Sequence, residues 1–305
     1  MHLYPHERKD GLAPTGAWPG VVALGAGRIE CGNPSCSRGW LSFLKDRRRP
    51  VFEGRWGCTA SCVATMVDLA IQREGDEADA IEPEHRHRIP LGLIMLAQGW
   101  ITNSQLQHAL DGQRRAGTGL IGSWLIEECG LREDHITRAM GMQWGCPVLP
   151  LEGFDPKAMA LTVPKMLVEH VGMVPLRIAG KRILYLGFDN HLDASAAFAM
   201  KRMSGLKVES GLVDATQLRQ ARQLLCECDF VDAAFEQLPD ITTVSKRMAS
   251  ALCKMQPRAS QMVRVHHFYW LRMWLETDSM RNLGGGVLVT KEDIVDHIYT
   301  VANQK

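Results

Sequence analysis

No excess of charge of one sign is present, since 35 Lys and Arg stand against 34 Asp and Glu. That balance excludes a global field drawing the chain onto nucleic acid or an anionic membrane, although it leaves room for a local patch. No apolar run of eighteen residues occurs, so no membrane-spanning helix and no membrane insertion are expected. The opening MHLYPHERKD is charged and lacks the apolar stretch of a secretory signal, which leads to the expectation of a soluble, cytoplasmic protein. Also missing is a phosphate-binding GxxxxGKS or GxxxxGKT. Gly284-Gly285-Gly286 runs into VLVTKED, without the Lys and hydroxyl pair that phosphate and Mg²⁺ require. No other catalytic constellation stands out, and the expectation is a binding protein, not an enzyme.

At 305 residues with ordinary globular composition, the chain has material for one large core or for two to three modest ones. Residues 1–27 are rich in Gly, Pro and Ala without periodicity and read as a flexible leader. Cys31-Gly-Asn-Pro-Ser-Cys36 follows, then twenty-one residues, then Cys58-Thr-Ala-Ser-Cys62 entering the helical VATMVDLAIQRE. In a reducing compartment, paired cysteines at short spacing point to metal. Cys31, Cys36, Cys58 and Cys62 together make the soft tetrahedral ligand set of a structural Zn²⁺, and four thiolates leave no open position for catalysis. With WLSF and PVFEGRW as strands of an intervening hairpin, residues 28–75 look like a treble-clef zinc finger.

Lys45-Asp-Arg47-Arg48-Arg49 lies between the cysteine pairs. A basic loop on a finger suits phosphate, but no aromatic or amide-rich recognition helix accompanies it, so a solvated hairpin tip is the simpler reading. Residues 74–87, EGDEADAIEPEHRH, read as a charged linker in which His85 and His87 are solvated.

Next come two copies of one pattern, LGLIMLAQGWITNSQLQHALDGQ and IGSWLIEECGLREDHITRAMGMQ, which superpose without a gap at an offset of thirty residues. Each reads as a short helix, a turn and a longer helix, with Thr102 and Gln105 set as a capping box in the first. On physics alone this 88–145 unit is a small helical bundle that needs no ligand.

The repeats resemble the N-terminal domain of type II secretion and type IV pilus assembly ATPases of the GspE, PilB and MshE types, whose twin pattern is RLGxxLVxxGxI followed by LxxxLxxQ. The segment from CPVLPLEGFDPKAM to MSGLKVESGLV is similar to that domain's second half, so the resemblance covers about 88–225. It implies docking to a protein partner of the secretion or pilus machinery, and, as an alternative taken from some family members, a cyclic di-GMP site. Matching positions are Leu91, Gly92, Leu106, Leu110 and Gln113, then Ile121, Gly122, Ile136, Met140 and Gln143. In place of the motif arginines this chain has Pro90 and Leu120, and Cys129 replaces the second motif's later glycine. Arg88 is the nearest substitute guanidinium, and Asp189 or Asp193 lies in the family's acidic loop. Removing a charge-assisted hydrogen bond from such a site costs about 1.5 to 3 kcal/mol. The ordering of readings is therefore protein adaptor first, cyclic di-GMP receptor second, and finger-based nucleic-acid binding third.

Residues 146–228 read as a small α/β unit. Its expected elements are a strand at 148–151, a helix at 163–170, paired strands at 173–179 and 182–188, a helix at 193–203, a strand at 206–213 and a helix at 216–225. Val174, Leu176 and Ile178 are expected to face inward opposite Ile183, Tyr185 and Gly187, an assignment that a one-residue slip reverses. In the 240–305 extension the pattern predicts a helix at 242–255, one long strand through MVRVHHFYWLRMWLE whose Arg and Trp face suits either a partner or covering by the last helix, and that last helix from Thr290. The fold class expected is α+β: a zinc finger, tandem helical repeats packed with a small mixed sheet, and this extension.

Overall fold

The computed structural model describes residues 31–37, 49–79, 88–180, 182–275 and 291–302. The 1–27 leader, WLSF, Lys45 to Arg48, His85, His87 and the triple glycine lie outside them. The fold is α+β. In the finger, β1 (Val51–Phe52) and β2 (Arg55–Trp56) pair antiparallel across Glu53 and Gly54, whose φ angles are 48° and 75°. The hairpin therefore lies wholly inside PVFEGRW, closed by a turn needing left-handed backbone at both central positions. Helix α1 (Ala60–Asp79) runs on through the first residues assigned to the linker. Within it Glu74 is 4% exposed, so the linker reading fails there.

The repeats form α2 (Leu91–Ala97), α3 (Asn103–Ala116), α4 (Ile121–Cys129) and α5 (Glu133–Trp144). Thr102 and Gln105 complete the expected capping box, and Gly117, Gly130 and Gly145 end their helices in left-handed conformation. Equivalent residues supply the core: Met95 with Leu125, Ala109 with Ala139, Leu106 with Ile136. Each short helix alone could bury little, and the two copies bury one apolar stripe against the other.

The α/β unit contains α6 (Pro156–Ala160), α7 (Lys165–His170), β3 (Met173–Ala179), β4 (Ile183–Phe188), α8 (Ala194–Ser204), β5 (Lys207–Leu212) and α9 (Ala215–Cys226). Its sheet order is β3-β4-β5, with β3 and β4 antiparallel and β4 and β5 parallel. Val148 makes only an isolated bridge to Leu212 and not a strand. Val174 pairs with Gly187, but a bulge between Pro175 and Arg177 shifts the register, so Leu184 and Leu186 take the core positions expected for Ile183 and Tyr185. An extra residue on one strand reverses which partner side chains face inward.

The C-terminal region holds β6 (Ala233–Leu238), α10 (Ile241–Met255), β7 (Ala259–Val265), β8 (Phe268–Trp274), a 3₁₀ turn at Lys291–Asp293 and β9 (Ile294–Val301), in sheet order β6-β9-β8-β7. Two expectations are corrected. The long strand is a hairpin turning at His266 and His267, with His266 at φ 53°, which places Val263 and Val265 on the same face as Phe268 and Trp270. The last helix is instead strand β9, which sits inside the sheet between β6 and β8.

Both faces of the β7–β8–β9 part of this sheet are covered. Tyr269, Leu271 and Met273 join α10 and the finger's Phe52, Val63 and Val67 in one core. Phe268, Trp270 and Trp274 pack into the α/β unit. The Arg and Trp face is thus an internal junction, not a partner surface. Arg272 lies at that junction, making a two-pronged pair with Asp296 at 2.8 and 2.7 Å and donating to the carbonyls of Leu161 and Thr162. A second charge cluster ties the finger to both neighbours. Arg73 grips Glu53 through two 2.7 Å bonds, Arg73 and Arg202 of α8 both reach Glu74, and the Arg264 N–H donates to Glu74 at 2.9 Å.

Candidate metal centre and twin-repeat site

The first cysteine pair is shaped by its turn. Asn33 accepts from the Ser35 N–H through its side chain at 2.9 Å and from the Cys36 N–H through its carbonyl at 3.1 Å, bending the loop so that both sulfurs point one way. The second pair straddles the start of α1, with the Cys62 N–H bonded to the Thr59 hydroxyl at 3.2 Å. A Cys31–Trp56 bridge brings the two loops together. The sulfurs of Cys31, Cys36, Cys58 and Cys62 all lie within 4.8 Å of one another, and two pairs stand 3.5 and 3.4 Å apart. Tetrahedral thiolates at about 2.3 Å from zinc would be separated by about 3.8 Å, so the cluster is of the size that holds such an ion.

Crowding and burial act on the ionisation of these sulfurs. Burial and the adjacent thiols push Cys58 up to about 12, and burial pushes Cys31 up. Burial also acts against the Cys62 thiolate, yet hydrogen bonds from Thr59, Asn33 and the other sulfurs outweigh it and bring the group down to about 6. A cation among the four sulfurs would favour their thiolate forms together. Asn33, whose amide donates to the Cys62 sulfur at 3.3 Å, is a member of the candidate site that the sequence showed only as a turn former.

The twin-motif residues come together by a local twofold relation, but they face one another. A Cβ on Gly92 would lie 2.7 Å from Leu106 Cδ1, and one on Gly122 would lie 3.0 Å from Ile136 Cγ2. Both glycines are thus close-packing positions filled by the long helix of their own repeat. Gln113 donates to the Gly119 carbonyl at 2.8 Å and Gln143 to the Ile89 carbonyl at 2.7 Å. Each glutamine therefore holds the chain entering the other repeat's short helix, at the same thirty-residue offset. Leu91, Leu110, Ile121 and Met140 are half-buried around this core.

Arg88 stacks over Trp144 at 3.7 Å, and Trp144 meets Phe188 and His191 edgewise or tilted. Asp189 is half-buried at the end of β4. Both oxygens of Asp193 have partners outside the motifs. It caps α8 by accepting from the Ala196 N–H at 2.8 Å, and its second oxygen holds His266 at 2.6 Å. Of the basic run, Arg49 is within the described residues and stacks on Trp56 at 4.3 Å. Beside the motifs, large apolar side chains reach solvent: Ile89 is 63% exposed, Leu120 58%, Leu93 53% and Met142 52%. No described helix is long and apolar enough to cross a membrane.

No protein-family model and no curated protein matches the chain. Among solved structures it is similar to that of MshE with cdg, at 22% identity and TM-score 0.36, covering 45% of this chain and 98% of that one. It is also similar to the N-terminal domain of XpsE, at 15% identity and TM-score 0.32, covering 44% and 92%. At these values the likeness is remote, and the functional reading rests on this chain's own side chains.

Proposed function

We propose that the chain is a binding module and not an enzyme: a protein-protein adaptor whose twin-repeat unit docks a component of secretion or pilus machinery. In this reading Cys31, Cys36, Cys58 and Cys62 hold a structural Zn²⁺ that fastens the finger to the C-terminal sheet. The observation that carries the reading is the pairing of a filled interior with an apolar exterior. The repeats' motif positions are occupied by Leu106 and Ile136, while Ile89, Leu93, Leu120 and Met142 stand more than half exposed beside them. Exposed apolar side chains gathered on one small unit are what a docking surface supplies. Co-purification of a tagged wild-type chain with secretion or pilus assembly components, compared with an Ile89→Ser/Leu93→Ser variant, tests it. The variant is expected to lose the partner while keeping its zinc and its thermal midpoint. Equal capture by both would overturn the assignment of the surface.

A second reading, a cyclic di-GMP receptor, is favoured by the Arg88 guanidinium stacked on Trp144 next to Gln143. A cationic plane there suits a guanine or a phosphate. Pro90 and Leu120 in place of the motif arginines and the engagement of Asp193 by His266 weigh against it.

A further inference from the structure

The two edges of the C-terminal sheet are treated differently. On the β7 edge the finger supplies partners. The Val51 N–H donates to Pro257 O at 3.1 Å, the Glu53 N–H to Ser260 O at 2.9 Å, and the Glu74 carboxylate accepts the Arg264 N–H at 2.9 Å. The β6 edge has no such cover among the described residues. Asp296 N–H donates to Asp232 O, and Ala302 N–H donates to Leu238 O. Because a parallel ladder alternates, Asp232, Ala234, Glu236 and Leu238 turn their backbone groups to β9, and Ala233, Phe235 and Gln237 turn theirs outward. Those three residues are all exposed, Phe235 by 52%. The strand carries no Lys, no Pro and no bulge, the devices that normally keep an edge from pairing.

We propose that β6 is a homodimerisation edge, on which β6 of a second copy pairs antiparallel about a twofold axis through Phe235. The occupant follows from self-complementarity. With that axis Phe235 faces Phe235 of the second copy, Ala233 faces Gln237, and Ala234 faces Glu236, so no like charges meet. Glu236 is already neutralised by Arg247 of α10 at 3.3 Å. All three outward residues then exchange both backbone bonds, about six in total, and two four-stranded sheets become one. A cross-strand aromatic pair at the axis adds to the backbone term. The interface is small beside the roughly 20–30 residues a side of a standard one, so the dimer is weak and depends on concentration. The inference rests on neither the zinc site nor the twin-repeat surface.

Sedimentation velocity over a wide concentration range, on the full zinc-loaded chain, tests the proposal. The wild type is expected to pass reversibly from monomer to dimer. Phe235→Lys, which sets two cations opposite each other, and Gln237→Pro, which deletes an outward donor, should each weaken the dimer about tenfold or more. Zinc content and thermal midpoint report that both variants are folded. Phe235→Cys should give a disulfide-linked dimer mapping to position 235 in both chains, since bonded antiparallel pairs lie about 5.5 Å apart at Cα. A wild type that stays monomeric at every concentration, or a dimer that both variants leave intact, would overturn it.

Discussion

Replacing Asp296 by Ala should be among the most damaging single changes in the chain. Asp296 is 0% exposed and Arg272 1%. The carboxylate accepts both Arg272 bonds at 2.8 and 2.7 Å and the Trp270 indole N–H at 2.8 Å. Among the described residues, removing it leaves the guanidinium hydrogen-bonded to the Leu161 and Thr162 carbonyls alone, at 2.9 and 3.2 Å, and strands the indole donor. Breaking a buried ion pair from one side costs about 3–5 kcal/mol, about a fifth or more of a typical domain's stability. Replacing both partners with apolar residues, as in Arg272→Met/Asp296→Leu, removes the uncompensated charge and should recover most of that loss. Urea unfolding followed by tryptophan fluorescence reports directly on the junction. The reasoning fails if Asp296→Ala costs less than about 1 kcal/mol, or if the double variant is no more stable than the single one.

If the four cysteines hold the proposed Zn²⁺, chelation or Cys31→Ser should melt the C-terminal sheet together with the cysteine-rich segment, because Phe52 and Val63 share a core with Tyr269 and Leu271. Amide exchange that leaves β7 and β8 protected after metal loss would contradict this. The His266–Asp193 pair predicts a pH dependence. The bond to Asp193 raises the His266 pKa, while for Asp193 burial is outweighed by His266 and the α8 cap, lowering it. The histidine contribution is therefore complete below its unfolded pKa of about 6.5 and fades as pH rises through the raised folded value; the aspartate contribution is lost only in acid. His267, His170 and Arg264 stand near and are common to both proteins compared. Asp193→Asn keeps the cap, so its thermal midpoint should trail the wild type most near pH 5–6 and converge with it toward about pH 8. Gly92→Val should cost about 1–3 kcal/mol by forcing Leu106 out of place, and an unchanged denaturation midpoint would show that the space is open.

Much of the architecture was written locally. The cysteine spacing, the thirty-residue offset, the Thr102 capping box and the bounds of β3 all follow from short-range chemistry. What was hidden depends on tertiary context. Ile294, Ile298 and Val301 fit helical spacing after a plausible cap, but the intervening Val295, His297 and Tyr299 suit a strand equally, and insertion between β6 and β8 decides the matter. The β7–β8 turn carries two histidines where Asn or Gly would have announced it. Glu74 reads as linker charge until Arg73 and Arg202 converge on it from separate elements. A motif glycine looks the same in sequence whether it admits a ligand or a leucine, and only the packing against Leu106 tells which.

The adaptor account turns on whether the twin repeats are a packed scaffold or a nucleotide pocket. Isothermal titration of cyclic di-GMP into the zinc-loaded chain separates the two. The account predicts no heat of binding up to high ligand concentration, because Pro90 and Leu120 stand where the motif carries its arginines. Micromolar or tighter binding that disappears in Arg88→Ala would contradict it.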